Sequence, residues 1–132
     1  MTQGLQALQE RHAELLAELT GLQREVAAIG STRRTFEGQL AVLAEQHEGL
    51  TADERKAAER GRDDLVARAR ELMRRLEAKS AEIEGLHRET VQTEASLIQA
   101  ERKARQAVDE LTAQKAGIED HVAQLRNLLG PG

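Results

Sequence analysis

The sequence predicts an all-α protein: a long antiparallel coiled-coil hairpin of two helices, with its turn near Gly61–Asp64 and one domain over residues 1–132. Three observations predict it. Aromatic residues are 1% of the chain and its one proline is Pro131, while charged residues reach 32%, a composition of long helices and not of an ordinary globular core. Apolar residues recur at alternating three- and four-residue spacing along nearly the whole length, the mark of helices that wind on a partner. That repeat breaks once, at Arg60-Gly61-Arg62-Asp63-Asp64.

The first helix is expected over about residues 3–59. One row of its seam is Leu8, Leu15, Leu22, Ile29, Phe36, Leu43, Leu50 and Ala57, apolar throughout. The companion row is Leu5, His12, Leu19, Val26, Arg33, Leu40, His47 and Glu54. Continued past the break, these rows would carry Gly61, Arg68, Arg75, Asp64 and Glu71, a charged seam. The break itself reads as a tip, residues 60–64. Gly61 suits the left-handed position just past a helix end, and Asp63 or Asp64 suits the cap of the next helix and its dipole. One continuous helix with a skip residue is the alternative.

The second helix is expected over about residues 65–129, its phase moved by one residue. Its seam rows become Ala69, Leu76, Ile83, Thr90, Leu97, Ala104, Leu111, Ile118 and Leu125, with Leu65, Leu72, Lys79, Leu86, Thr93, Ala100, Ala107, Gln114 and His121. Folding the arms together gives facing residues whose numbers add to 126, which places the fold at residue 63. Three polar layers then coincide, His12/Gln114, Arg33/Thr93 and His47/Lys79, and they read as a register-setting polar core. Arg33 destabilises such a seam unless paired, and Glu89 and Glu94 lie near its level. A third apolar stripe runs beside the seam: Leu16 on the first arm, and Val66, Met73, Val108, Val122 and Leu129 on the second. A two-stranded coil needs two rows per helix, so this stripe is expected to be an assembly face for further helices.

The net charge of −4 is uneven: −3 over residues 1–52, +2 over 53–75 and −3 over 76–132. The middle stretch forms a basic tip of Arg55, Lys56, Arg60, Arg62, Arg68, Arg70, Arg74 and Arg75. It suits an acidic protein surface or weak peripheral contact with an anionic membrane. Aromatics to stack bases are missing, so no nucleic-acid partner is expected.

Catalytic chemistry finds no footing. There is no Cys for thiolate or disulfide chemistry. Glu84-x-x-His87 has the spacing of one half of a di-metal carboxylate site, but the second half and its bridging Glu residues are missing. His12, His47, His87 and His121 are spread far along the chain, and Glu10, Glu14 and Glu18 read as a solvated face. No enzyme activity, metal or cofactor is expected. No apolar run approaches the roughly 20 residues of a membrane span, and the polar opening Thr2-Gln3-Gly4 does not read as a signal peptide. A cytoplasmic protein is expected, with the inner membrane face as its place of any lipid contact.

Two stretches carry a resemblance. Gly61-Arg62-Asp63-Asp64-Leu65-Val66-Ala67-Arg68-Ala69-Arg70 is similar to a G-x-E-D-L-A-R-x-A-L tip, without its Ala-Arg after Leu and its final Leu. Arg33-Arg34-Thr35-Phe36-Glu37-Gly38-Gln39-Leu40 is similar to a K-R-x-x-E-x-x-L stretch upstream of it, and Leu50 stands where an aromatic often precedes the tip. Over most of residues 15–126 the chain thus resembles the phage shock protein A and plastid vesicle-inducing protein family, bacterial relatives of ESCRT-III. The resemblance implies a hairpin that stacks into polymers and remodels or protects membranes. The family's N-terminal amphipathic helix and further C-terminal helices have no counterpart in these residues, so lipid contact is expected through the tip. The function expected is a non-enzymatic scaffold that self-associates into an oligomer or polymer. The alternative is a coiled-coil adaptor, secretion-system stalk or export chaperone that binds a protein partner.

Overall fold

The structure is a computed structural model that describes residues 2–130. Two helices account for it, α1 (Thr2–Glu59) and α2 (Asp63–Leu129), packed against each other as an all-α helical hairpin with no strand among the described residues. Pro131 and Gly132, part of the expected C-terminal stop, lie outside the described residues.

Between the helices lies a three-residue turn. Gly61 adopts φ +67°, the left-handed conformation that costs a Cβ-bearing residue about 1 kcal/mol. Its N–H donates to Ala58 O at 3.1 Å, and the N–H of Arg62 donates to Ala57 O at 2.9 Å. This pair of bonds satisfies the last carbonyls of α1 and reverses the chain. The Arg62 carbonyl then accepts from Leu65 at 3.1 Å and Val66 at 3.0 Å, which makes Arg62 the N-cap residue of α2. Asp63 and Asp64 are therefore first-turn residues that complement the helix dipole, and neither is the expected cap.

The chain divides into two compact units. In the turn-bearing unit, Ala28–Glu94, Ala57, Ala69, Met73, Ile83 and Thr90 are buried. Leu40, Leu43, His47, Leu50, Leu76, Ser80 and His87 are half-buried between the helices. Thr90 satisfies its hydroxyl by donating to Leu86 O at 2.8 Å. In the terminal unit, Leu15 and Val108 are buried, and Leu8, Leu19, Leu22, Leu111, Ile118 and Val122 are half-buried. No described side chain is fully buried, as expected where two helices meet and no third element covers the seam.

The seam corrects the expected register. His47 meets Glu77, Thr51 meets Met73, Glu54 meets Arg70, Glu37 meets His87, and His12 meets Thr112. In every pair the residue numbers add to 124, not 126, so the chain folds back at Arg62, not at residue 63. On α1 both expected rows face the partner. On α2 the second row differs. Val66, Met73, Val108 and Val122, expected to face outward for assembly, lie in the seam. Leu65, Lys79, Leu86, Thr93, Gln114 and His121, expected inside, are exposed.

Two physical causes fix this choice. The turn built on Gly61 leaves no spare residue before α2 begins. The observed seam also seats His47 against Glu77, whereas the expected register brought it together with Lys79. A protonated imidazole set against an ammonium group would put two like charges in one layer, which is disfavoured.

Candidate functional site

The turn-bearing unit gathers most of the residues singled out by sequence. Its polar core centres on Arg33. The Arg33 Nε donates to Glu94 Oε1 at 2.9 Å, and its terminal nitrogen donates to Glu37 Oε1 at 2.7 Å. Glu37 also takes His87 Nε2 at 3.4 Å. The neighbouring Arg33, then His87, hold the Glu37 carboxyl below the usual carboxylate range. Glu37 and Glu94 in turn raise the Arg33 guanidinium.

Gly30 completes this cluster. A Cβ built there would lie 3.1 Å from Glu94 Oε2, so the missing side chain leaves room for the carboxylate. Sequence reasoning missed this role. The available signal was a glycine one turn before Arg33 and Arg34, facing the level of a Glu on the other arm.

The remaining polar candidates are dispersed. His47 takes Glu77 at 3.0 Å, and Lys79 is exposed beside Glu82 at 3.6 Å. The expected His47/Lys79 and Arg33/Thr93 layers are not formed. In the terminal unit His12 meets Thr112 Oγ1 at 2.9 Å, while Gln114 and His121 are exposed, so the expected His12/Gln114 layer is not formed either. Glu84 is exposed and His87 is turned to Glu37 across the seam. Among the described residues, no three His, Asp or Glu side chains converge to hold a metal ion.

All eight basic candidates near the turn are exposed. Arg62 binds Asp64 through both ends of its guanidinium at 3.2 and 3.1 Å. Arg62, then the Leu65 N–H, hold the Asp64 carboxyl down. Arg70 pairs with Glu54 at 2.8 Å and Arg75 with Glu71 at 2.9 Å. Lys56, Arg60, Arg62 and Arg68, with one acid, Asp53, rim a cleft of about 390 Å³ whose floor is Leu50, Ala57, Leu65, Ala69 and Leu72.

A larger open groove, about 770 Å³, runs between the helices. Phe36, Val42, Leu43, Ile83 and Leu86 line it, with Lys79 and Glu82 at its edge. Val42 is 52% exposed, Leu65 46%, Leu86 43% and Val91 40%. These are the apolar side chains that the hairpin leaves uncovered here. Of the residues first expected to form the assembly face, Leu16 and Leu129 are exposed, each in the terminal unit.

No helix among the described residues is long and apolar enough to cross a membrane. No family model matches the sequence, and no curated protein or solved structure matches it either.

Proposed function

We propose that the protein is a non-catalytic scaffold that assembles with further copies through the turn-bearing unit. One observation carries this reading. α2 presents three apolar rows, and its hairpin partner covers two. The third, Leu65 and Leu86 with half-buried Leu72 between them, lies open beside the groove of Val42 and Phe36. Leucines at heptad positions suit another helix better than a small ligand, because Leu65 and Leu72 are about 10 Å apart and Leu86 lies about 21 Å farther along the same face. The likeness of Gly61–Arg70 to a phage shock protein A tip, with the cationic cleft beside it, supports placing this assembly next to an anionic membrane.

The test is sedimentation velocity over a concentration series, with negative-stain images of the heaviest fractions. Species larger than the monomer are expected, and Leu65→Glu with Leu86→Glu should return them to monomer while far-ultraviolet helicity is kept. A chain that stays monomeric throughout overturns the scaffold reading. The adaptor reading would then take its place, and it rests on the same cleft: a cationic rim over an apolar floor fits an acidic amphipathic helix.

A further inference from the structure

The exposed face of α2 carries a second pattern, one of charge. Arg68, Arg75, Glu82 and Glu89 follow each other at seven-residue spacing and are all exposed. They interleave at three- and four-residue steps with Leu65, Leu72, Lys79 and Leu86, so the two rows make one stripe of the helix surface. The charged row is two arginines followed by two glutamates. It inverts its sign about a point between Arg75 and Glu82.

A surface that meets its own copy across a two-fold axis must be self-complementary. This row has that property in one direction only. Laid parallel in register, it would set Arg against Arg and Glu against Glu. Laid antiparallel about that point, it sets each Arg68 against Glu89 of the other copy and each Arg75 against Glu82. The same axis brings each Leu72 against Leu86 of the other copy, at the edge of the groove that Leu86 shares with Val42.

From this we infer that two copies pair antiparallel through this stripe of α2, on a two-fold axis that passes beside Lys79; the inference rests on the assembly reading above and names its contact. Four ion pairs and two leucine contacts favour the pairing. Two features oppose it: each Arg75 must share its guanidinium with Glu71 of its own chain, 2.9 Å away, and the two Lys79 ammonium groups meet near the axis. Glu82, 3.6 Å from Lys79 in its own chain, offsets part of that repulsion. The stripe is about 36 Å long and roughly 10 Å wide, which amounts to about 400 Å² per copy. That is below the roughly 800 Å² per partner of a standard interface, so the expected affinity is micromolar or weaker.

The experiment uses the full chain and three variants in sedimentation equilibrium, each checked for helicity. Arg68→Glu with Arg75→Glu makes the row all acidic, and Glu82→Arg with Glu89→Arg makes it all basic. Each variant alone should dimerise at least about tenfold more weakly than the wild type, and their equimolar mixture should recover a heterodimer. Lys79→Leu completes the leucine row and removes the like-charge contact, so it should tighten the dimer by about tenfold. If the wild type self-associates while the charge variants associate equally well alone, or Lys79→Leu weakens the dimer, this contact is wrong and the scaffold reading stands. A wild type that remains monomeric up to millimolar concentration overturns both.

Discussion

Arg33 shows how one side chain decides between alternative packings. It is partly withdrawn from water, and its two carboxylate partners come from both helices, Glu37 from its own and Glu94 from the other. Only Glu94 ties the helices together, so its loss should show in the stability of the hairpin. A double-mutant cycle of Arg33→Met with Glu94→Gln, read by thermal melting, should give a coupling larger than the same cycle on the exposed pair Arg75 and Glu71. Equal couplings would mean that the cross-helix pair does not hold the register. Glu37 adds a pH dependence. Its carboxyl titrates lower in the folded chain than in the unfolded one, because Arg33 and His87 favour the ionised form. Its contribution is thus present above the unfolded value, about 4.3, and is lost as pH falls through that value and on through the folded one. Glu37→Gln should melt lower than the wild type at pH 7, and the gap should narrow as pH falls below about 4. A constant gap down to pH 3 would count against the Arg33–Glu37–His87 cluster.

At the level of the helices, register follows from the turn. Gly61 supplies the left-handed residue, and Gly61→Ala should cost about 1 kcal/mol in thermal melts, since nothing but backbone conformation opposes the methyl. Thr51→Cys with Met73→Cys should cross-link within one chain, whereas His47→Cys with Lys79→Cys should not, because Lys79 points away from the seam. The two faces of α2 should also respond oppositely to charge. Met73→Glu buries a carboxylate in the seam and should destabilise by about 3 kcal/mol, while Leu65→Glu, on the exposed row, should change stability by less than about 0.5 kcal/mol. The fold class and the position of the break were legible in the sequence, because a seven-residue repeat and a Gly-Arg-Asp-Asp tip are local signals. Which two of three apolar rows of α2 face α1 was not legible. The rows holding Met73 and Leu72 are both apolar near the turn and both interrupted farther on, by Ser80, His87 and Glu94 in one and by Lys79 and Thr93 in the other. What separates them is a set of partners that meet only after folding, Glu77 for His47 and Glu54 for Arg70, and a turn one residue tighter than the seam pattern suggested. The candidate surface inherited that ambiguity, so the residues first assigned to assembly were those that close the hairpin. Gly30 stayed hidden for a related reason: its role is the space it leaves for Glu94, and that contact exists only after folding.

For the molecule as a whole, charge sets what an anionic membrane can do with it. The net charge is −4, and the one stretch of positive balance, residues 53–75, carries only +2. Three of its eight basic side chains are already held by carboxylates of the same chain: Arg62 by Asp64, Arg70 by Glu54 and Arg75 by Glu71. Attraction to an anionic leaflet is worth at most about 1 kcal/mol per basic residue near the surface and decays over a Debye length of about 10 Å at 0.1 M salt. No apolar segment long enough to span adds to it among the described residues. A single copy should therefore float with vesicles rich in phosphatidylserine at low salt, detach by about 0.3 M salt, and leave neutral vesicles unbound. Lys56→Glu with Arg60→Glu, at the rim of the cleft beside the turn, should abolish flotation without changing helicity, because both side chains are exposed and unpaired among the described residues. Antiparallel pairing points the two turns of a dimer to opposite ends, so both reach one leaflet when the pair lies along it, and such a pair should bind more tightly than the monomer. Lys79→Leu, the variant expected to strengthen pairing, should then raise vesicle binding even though it removes a positive charge. Flotation that falls with Lys79→Leu in step with the lost charge would separate membrane contact from assembly, and flotation of the wild type that survives 0.3 M salt would assign lipid contact to apolar surface instead of the basic turn.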